Sequence, residues 1–248
     1  MKRVLTRSVL TRESPVMRFD LLGSGRVLFT AREHGNLSSV GGDDAEHGEQ
    51  ARERLRRQIG VQRLARGYQV HGSVVRRIRA EDDISEPAPA VARPAIEADG
   101  HATALPGIGA MTFTADCLPV ALGSPRAVAM LHAGWRGLAA GVLEEGVRAL
   151  RELGAERDDG VEKVVAIIGP GAGACCYEVG AEVHAVFGDI QRERRHIDLK
   201  AIARDRLLAA GVARVSDAQV CTICDERFFS YRREGTRAGR QAGIAWLS

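Results

Sequence analysis

Two short apolar runs, Gly109–Thr114 and Ala127–Leu131, constrain this chain most. Each has the length and composition of a buried strand, and each is followed within a few positions by a reactive side chain. Cys117 follows the first, in Thr114-Ala-Asp-Cys-Leu-Pro-Val, and His132 follows the second, in His132-Ala-Gly-Trp-Arg-Gly. Side chains at a strand exit leave the sheet and become available for chemistry. His71, in Tyr-Gln-Val-His-Gly, stands in a similar context. Two imidazoles and a thiolate are three ligands of the kind zinc prefers. Three protein ligands with a fourth position left open is the arrangement of a catalytic rather than a structural zinc.

The remaining pattern mixes strands and helices without strict alternation. Strands are expected over Arg26–Ala31, Leu64–Val70, Ser73–Ile78, Lys163–Ile168, Phe228–Arg233 and Gly243–Leu247. Helices are expected over Asp43–Gly60, Leu138–Leu153 and Leu199–Ala210, with Gly60, Gly154 and Gly211 as stops. His34–Gly42 and the Pro-, Ala- and acid-rich run Glu81–Glu97 read as loops, and Asp99-Gly100 as a turn. The order favours α+β, with layered mixed sheets, over a TIM barrel or a Rossmann domain. There is no internal repeat and no break in composition, so residues 1–248 read as a single domain.

Composition excludes several functions. A net charge of +3 from 35 basic and 32 acidic residues gives no electrostatic footprint for nucleic acid, and 4% aromatics leave little for base stacking. No stretch approaches the ~18 uninterrupted apolar residues of a membrane span, and the charged N-terminus lacks an apolar signal core. The expected location is cytoplasmic. Five cysteines without a secreted disulfide spacing agree with a reducing compartment.

Other positions carry weaker signals. Asp116 is either an acceptor that orients a ligand imidazole or an Asx turn before Pro119. Arg136 precedes the Leu138 helix, where a cation and free N–H groups suit phosphate; pairing with a carboxylate is the alternative. Gly169-Pro-Gly-Ala-Gly fits neither nucleotide fingerprint and reads as a tight pocket wall, with Tyr177 and Glu178 able to reach inward. Most charge in the first helix reads as a solvated face, with Arg52 as the exception. Cys221-Thr-Ile-Cys224 has zinc-knuckle spacing, but a structural zinc needs a second pair. Cys175 and Cys176 are adjacent in the chain and read as an uncomfortable one, so pocket-wall thiols are expected.

Taken in order, Gln69-Val-His71-Gly, Ala98-Asp99-Gly100, Thr114-Ala-Asp-Cys117-Leu-Pro-Val, His132-Ala-Gly-Trp-Arg136-Gly, Cys176-Tyr-Glu-Val-Gly and Cys221-Thr-Ile-Cys with Phe228-Phe-Ser-Tyr-Arg-Arg closely resemble the YfiH/laccase-domain family. The resemblance spans about Arg26 to Ser248. It implies a single-domain α-β-β-α sandwich with one zinc held by His71, Cys117 and His132. It also implies phosphorolysis of purine nucleosides (adenosine, inosine, guanosine, methylthioadenosine) together with deamination of adenosine. Purine nucleosides and phosphate are the implied partners of a monomer or weak homodimer. In this chain Ala51-Arg52 stands where the family carries Asn-Arg, and His101 replaces an apolar residue.

On that reading Arg136 or Arg52 would hold phosphate against the anomeric carbon, work of positioning and charge stabilisation. Three rivals remain. A copper-dependent polyphenol oxidase, the family's older label, needs many histidine ligands; seven histidines, with His34, His47 and His196 in polar stretches, argue against it. A cysteine-type hydrolase or editing enzyme acting on cell-wall precursors would use Cys117 as nucleophile with His71 or His132 as base. A zinc-stabilised binding module would unfold on metal removal and turn nothing over.

Overall fold

A computed structural model of the chain describes residues 17–39, 41–42, 44–84, 96–155, 163–188 and 195–248. Asp43 and most of the Glu81–Glu97 run lie outside the described residues. The strands are β1 (Met17–Asp20), β2 (Gly25–Phe29), β3 (Arg63–Ala65), β4 (Val75–Ile78), β5 (Gly100–Thr103), β6 (Ile108–Thr114), β7 (Leu118–Gly123), β8 (Val128–Ala133), β9 (Val165–Ile168), β10 (Arg214–Asp217) and β11 (Gln241–Leu247). The helices are α1 (Gly48–Ile59), α2 (Trp135–Ala139), α3 (Val142–Ala155), α4 (Ala181–Val186), α5 (Leu199–Ala209) and α6 (Tyr231–Glu234).

The strands form two mixed sheets, ordered β1-β2-β11-β6-β3 and β10-β9-β7-β8-β5-β4. Alternation along each strand separates three packing layers. Val27, Phe29, Ala110 and Ala245 of the first sheet meet Ala121, Val128, Met130 and Ile167 of the second. The opposite faces of the same strands are equally apolar. Leu28, Met111, Ile244 and Trp246 pack on Ala51 and Leu55 of α1. Val120, Leu122, Leu131 and Ile168 pack on Leu143, Val147 and Leu150 of α3 and Ala203 and Leu207 of α5. The result is the α-β-β-α sandwich of the α+β class, in which strands buried on both faces read as continuous apolar runs.

Four expectations need correction, the first being Leu64–Val70, of which only Leu64 and Ala65 lie in a strand, β3. Phe228–Arg233 is no strand: the Ser230 hydroxyl accepts from Arg233 N–H and starts α6, while Asp116 Oδ2 takes the Arg232 N–H. The 138–153 helix is two, parted at Gly141, whose φ of 87° an L side chain rarely adopts. Gly100 opens β5 rather than a turn. Strand β7, interior to its sheet, contains Pro119, because the ring nitrogen falls where β9 has already ended. There the Pro119 carbonyl accepts from Gly169 N–H at 2.8 Å and no ladder donor is needed.

Candidate metal centre

The topology brings the three candidate ligands together. Cys117 lies between β6 and β7, His132 lies in β8, and Pro119 of β7 pairs directly with His132. His71 comes from the segment between β3 and β4. The ligand atoms of His71, Cys117 and His132 all lie within 4.8 Å of one another, and the two imidazole rings meet edge to face with centroids 4.8 Å apart. His132 is buried, Cys117 half-buried and His71 exposed, so the centre opens to solvent on the His71 side.

One carboxylate organises this arrangement. Asp99, fully buried at the end of the segment before β5, accepts from His132 Nδ1 at 2.8 Å. Its two oxygens also accept from the backbone N–H groups of Val70, His71 and Gly72 at 3.2, 3.0 and 2.8 Å. The first contact assigns the His132 tautomer and leaves Nε2 for a ligand. The other three hold His71 in the left-handed conformation at φ 60°, which a non-glycine residue rarely adopts unaided. The Gln69 side chain completes the support, exchanging two 2.8 Å hydrogen bonds with the Phe113 backbone of β6.

Gly134 makes room for the ligands. A Cβ there would stand 2.8 Å from Cys117 Sγ and 3.0 Å from His71 Cδ2. Gly134→Ala therefore displaces a ligand, and zinc affinity measured by chelator competition is expected to fall about 10- to 100-fold, the usual loss when the shell around a ligand is disturbed. Unchanged affinity would contradict this placement.

The electrostatics suit a cation. Burial pushes the Cys117 thiol up, but His132 and His71 beside it outweigh burial and bring it down to about 6. Burial lowers His132, yet the Cys117 thiolate and Asp99 raise it to about 9. In metal-free protein Cys117 is thus a thiolate at neutral pH. Alkylation of Cys117 by iodoacetamide, followed by peptide mass spectrometry after chelator treatment, is expected to fall to half its plateau rate near pH 6. A midpoint at the ordinary thiol value, about 8.5, would contradict it.

The other expected site residues separate. Arg136 is exposed beside the centre, its guanidinium 4.2 Å over the Trp135 ring. Tyr177 is half-buried under Arg232; burial first, and then the Cys117 charge, push its hydroxyl up. Glu178 directs its carboxylate to exposed Arg195 at 2.8 Å. Arg52 is buried, and its N–H groups donate to Leu37 O at 2.8 Å and Ser39 Oγ at 3.0 Å, so it anchors the loop ahead of α1. Burial and neighbouring Arg66 bring Arg52 down to about 10.

Asp116 orients no imidazole. It accepts from Thr222 Oγ1 at 2.7 Å, Ser230 Oγ at 3.1 Å and Arg232 N–H at 2.8 Å, tying the Cys117 turn to α6. Asp116→Ala takes the acceptor from the buried Thr222 and Ser230 hydroxyls and from the Arg232 N–H. The melting temperature is expected to fall by a few degrees, equivalent to about 1–3 kcal/mol; an unchanged melt would contradict the role. Arg240 is a further cation of the site, its charge felt by Cys117 and Asp116, and its backbone N–H is held by buried Asn36 Oδ1 at 2.9 Å. Arg240 carries no sequence signal of its own, and Asp99, though within one of the motifs of the resemblance, is given no role by it. Asp99 sits in a turn-like Ala-Asp-Gly, and only its place before a strand beside His132 would have singled it out.

The profile of the multi-copper polyphenol oxidoreductase laccase family matches residues 24–248. The chain belongs to this family. Among similar family members are proteins named purine nucleoside phosphorylase from Xylella fastidiosa (strain Temecula1), 38% identical over 86% of this chain and 84% of the relative, and from Escherichia coli K12, 36% identical over 86% of each. The crystal structure of a Neisseria meningitidis protein is 31% identical and superposes with a TM-score of 0.77 over 94% of this chain and 99% of that one. That of YlmD from Geobacillus stearothermophilus, 24% identical, shares the fold with a TM-score of 0.81 over 98% of each chain. The laccase label does not extend to a histidine-rich centre here. Among the described residues, groups of three or more metal-capable side chains are the His71–Cys117–His132 set and a cluster of four cysteines. No helix of the described residues is long and apolar enough to cross a membrane.

Proposed function

We propose that the protein is a zinc-dependent purine nucleoside phosphorylase that also deaminates adenosine. The observation that carries the reading is the convergence of His71, Cys117 and His132 under the single carboxylate of Asp99. The donor set fits zinc: one soft thiolate and two imidazoles, with the His132 tautomer fixed and an exposed side left open. The relatives' names, purine nucleoside phosphorylase, supply the substrate class.

His71, Cys117 and His132 would hold the zinc, which would supply Lewis-acid chemistry there. The chain's own residues do the rest. Asp99 holds the His132 tautomer and fixes both imidazoles. Arg136, exposed and stacked on Trp135, attracts phosphate and aligns it for attack on the anomeric carbon of the ribose. Arg240 adds positive potential on the Cys117 side. The Tyr177 hydroxyl is held neutral by burial beside Cys117 and donates to the purine leaving group. Glu178 and Arg52, bound to Arg195 and to the 37–39 loop, shape the rim. Adenosine, inosine, guanosine and methylthioadenosine are the proposed substrates. The protein acts in the cytoplasm as a monomer or weak homodimer, with its five cysteines kept out of disulfides.

Purified protein incubated with inosine or adenosine is expected to release base and ribose-1-phosphate only when phosphate is present, and ammonia from adenosine without it. Absence of nucleoside turnover in zinc-loaded protein would overturn the assignment. Turnover by metal-free protein that iodoacetamide abolishes would favour the thiol-hydrolase reading instead.

A further inference from the structure

Four cysteines lie outside the centre described above. Cys175 and Cys176 belong to the turn after β9, and Cys221 and Cys224 to the turn after β10. Strands β9 and β10 are parallel neighbours, so both turns leave the same end of the sheet. The turns are also zipped together: Thr222 N–H donates to Gly171 O at 3.1 Å and Gly171 N–H to Val220 O at 3.4 Å. The fold therefore supplies the second pair that adjacent positions in the chain do not suggest.

We propose that Cys175, Cys176, Cys221 and Cys224 bind a second zinc ion as a structural tetrathiolate site. All four sulfurs lie within 4.8 Å of one another, with Cys175–Cys224 at 3.4 Å and Cys176–Cys224 at 2.9 Å. One ion bonded to four sulfurs at about 2.3 Å spaces them about 3.8 Å apart at the corners of a tetrahedron, so the four thiols, two pairs of which stand closer than this, need only spread slightly around it. Burial does not explain the gathering. Structural thiols without a metal are usually core residues, whereas Cys175 and Cys224 are exposed and the other two only half-buried. Gly173 N–H donates to Cys221 Sγ at 3.2 Å, the kind of contact that favours a thiolate. A Cβ at Gly173 would stand 3.3 Å from both Cys175 Sγ and Cys221 Sγ, so glycine lets the backbone approach the sulfurs.

The site is wired to the first centre without sharing a ligand. Thr222, inside the Cys221–Cys224 turn, donates to Asp116 Oδ1, and Ala172 N–H donates to the Asp116 carbonyl at 2.8 Å; Asp116 precedes Cys117. Tyr177 directly follows Cys176. The ion staples two loops that together hold the Cys117 turn and Tyr177. On binding, the four thiols release their protons to solvent and no electrons move.

The test is metal content by inductively coupled plasma mass spectrometry of the full chain, purified without chelator and then reloaded with zinc alone. The wild type is expected to hold a second equivalent of zinc. Cys117→Ala is expected to keep only the equivalent at the four cysteines, and Cys175→Ser/Cys224→Ser to lose that equivalent, keep the one at His71, Cys117 and His132, and melt at lower temperature. Cobalt(II) loaded into Cys117→Ala reports on the cluster whether or not the cysteine variant folds. Intense near-ultraviolet sulfur-to-cobalt charge transfer with tetrahedral visible bands supports four thiolates. A Cys117→Ala protein that binds no metal would overturn the proposal, as would iron with inorganic sulfide or a disulfide among the four cysteines. None of these readouts depends on nucleoside turnover.

Discussion

Cys117→Ala is expected to lower kcat/KM for inosine phosphorolysis by at least about a thousandfold. The sulfur is the one anionic donor among the three ligands, and its ligand atom lies within 4.8 Å of those of both imidazoles. Without it, two neutral imidazoles hold an ion weakly, and the Lewis acid leaves the site. Such polarisation contributes several kcal/mol to a transition state, and every 1.36 kcal/mol is tenfold in rate. Positioning by Arg136 and Arg240 survives the substitution, so a residual rate above background is expected. Parallel measurement of zinc should show the loss of the ion of this centre. A variant that loses the ion but keeps wild-type kcat/KM would show that the centre is structural, and one that keeps the ion would remove Cys117 from the ligand set.

Asp99→Asn is expected to cost about 10- to 100-fold in zinc affinity, the range for removing the partner that orients a metal-bound histidine. The geometry explains why an isosteric change is so damaging. Oδ1 serves His132 Nδ1 and His71 N–H, while Oδ2 serves Val70 and Gly72 N–H. Every partner is a donor, so an amide must turn its NH2 group against one pair or the other. If it faces His132, the imidazole tautomer inverts; if it faces Val70 and Gly72, the His71 loop loses its hold. The loss should appear as a rise in the zinc dissociation constant with far-ultraviolet circular dichroism unchanged. Asp99→Asn protein with wild-type zinc affinity and turnover would contradict the orienting role.

The extent to which the sequence is legible follows from what each signal depends on. His71, Cys117 and His132 stand in short local contexts, beside Gly, Pro or Asp at the edges of apolar runs, and those contexts survive into the fold. The layered α+β class follows equally from buried strands that fail to alternate with helices. Partners fixed by distant segments are harder to read. Asp99 acquires its role only because β5 lies beside β8, and Asp116 because α6 folds back onto it, so the carboxylate nearest Cys117 in sequence misleads. Phe228–Arg233 has strand composition, but a cap at Ser230 and the pull of Asp116 impose a helical turn. The four cysteines show the same limit: adjacency of Cys175 and Cys176 argues against a shared site until β9 and β10 are seen side by side. Arg52 and Glu178, expected to hold phosphate and to reach into the pocket, spend their charged groups on Leu37, Ser39 and Arg195, partners that only the fold supplies.

The most direct measurement is anomalous diffraction at the zinc edge from crystals of zinc-loaded protein. A peak is predicted within about 2.0–2.3 Å of Cys117 Sγ, His132 Nε2 and a ring nitrogen of His71, with its fourth side facing solvent. Density that leaves this position empty while zinc is present in the crystal would contradict the account.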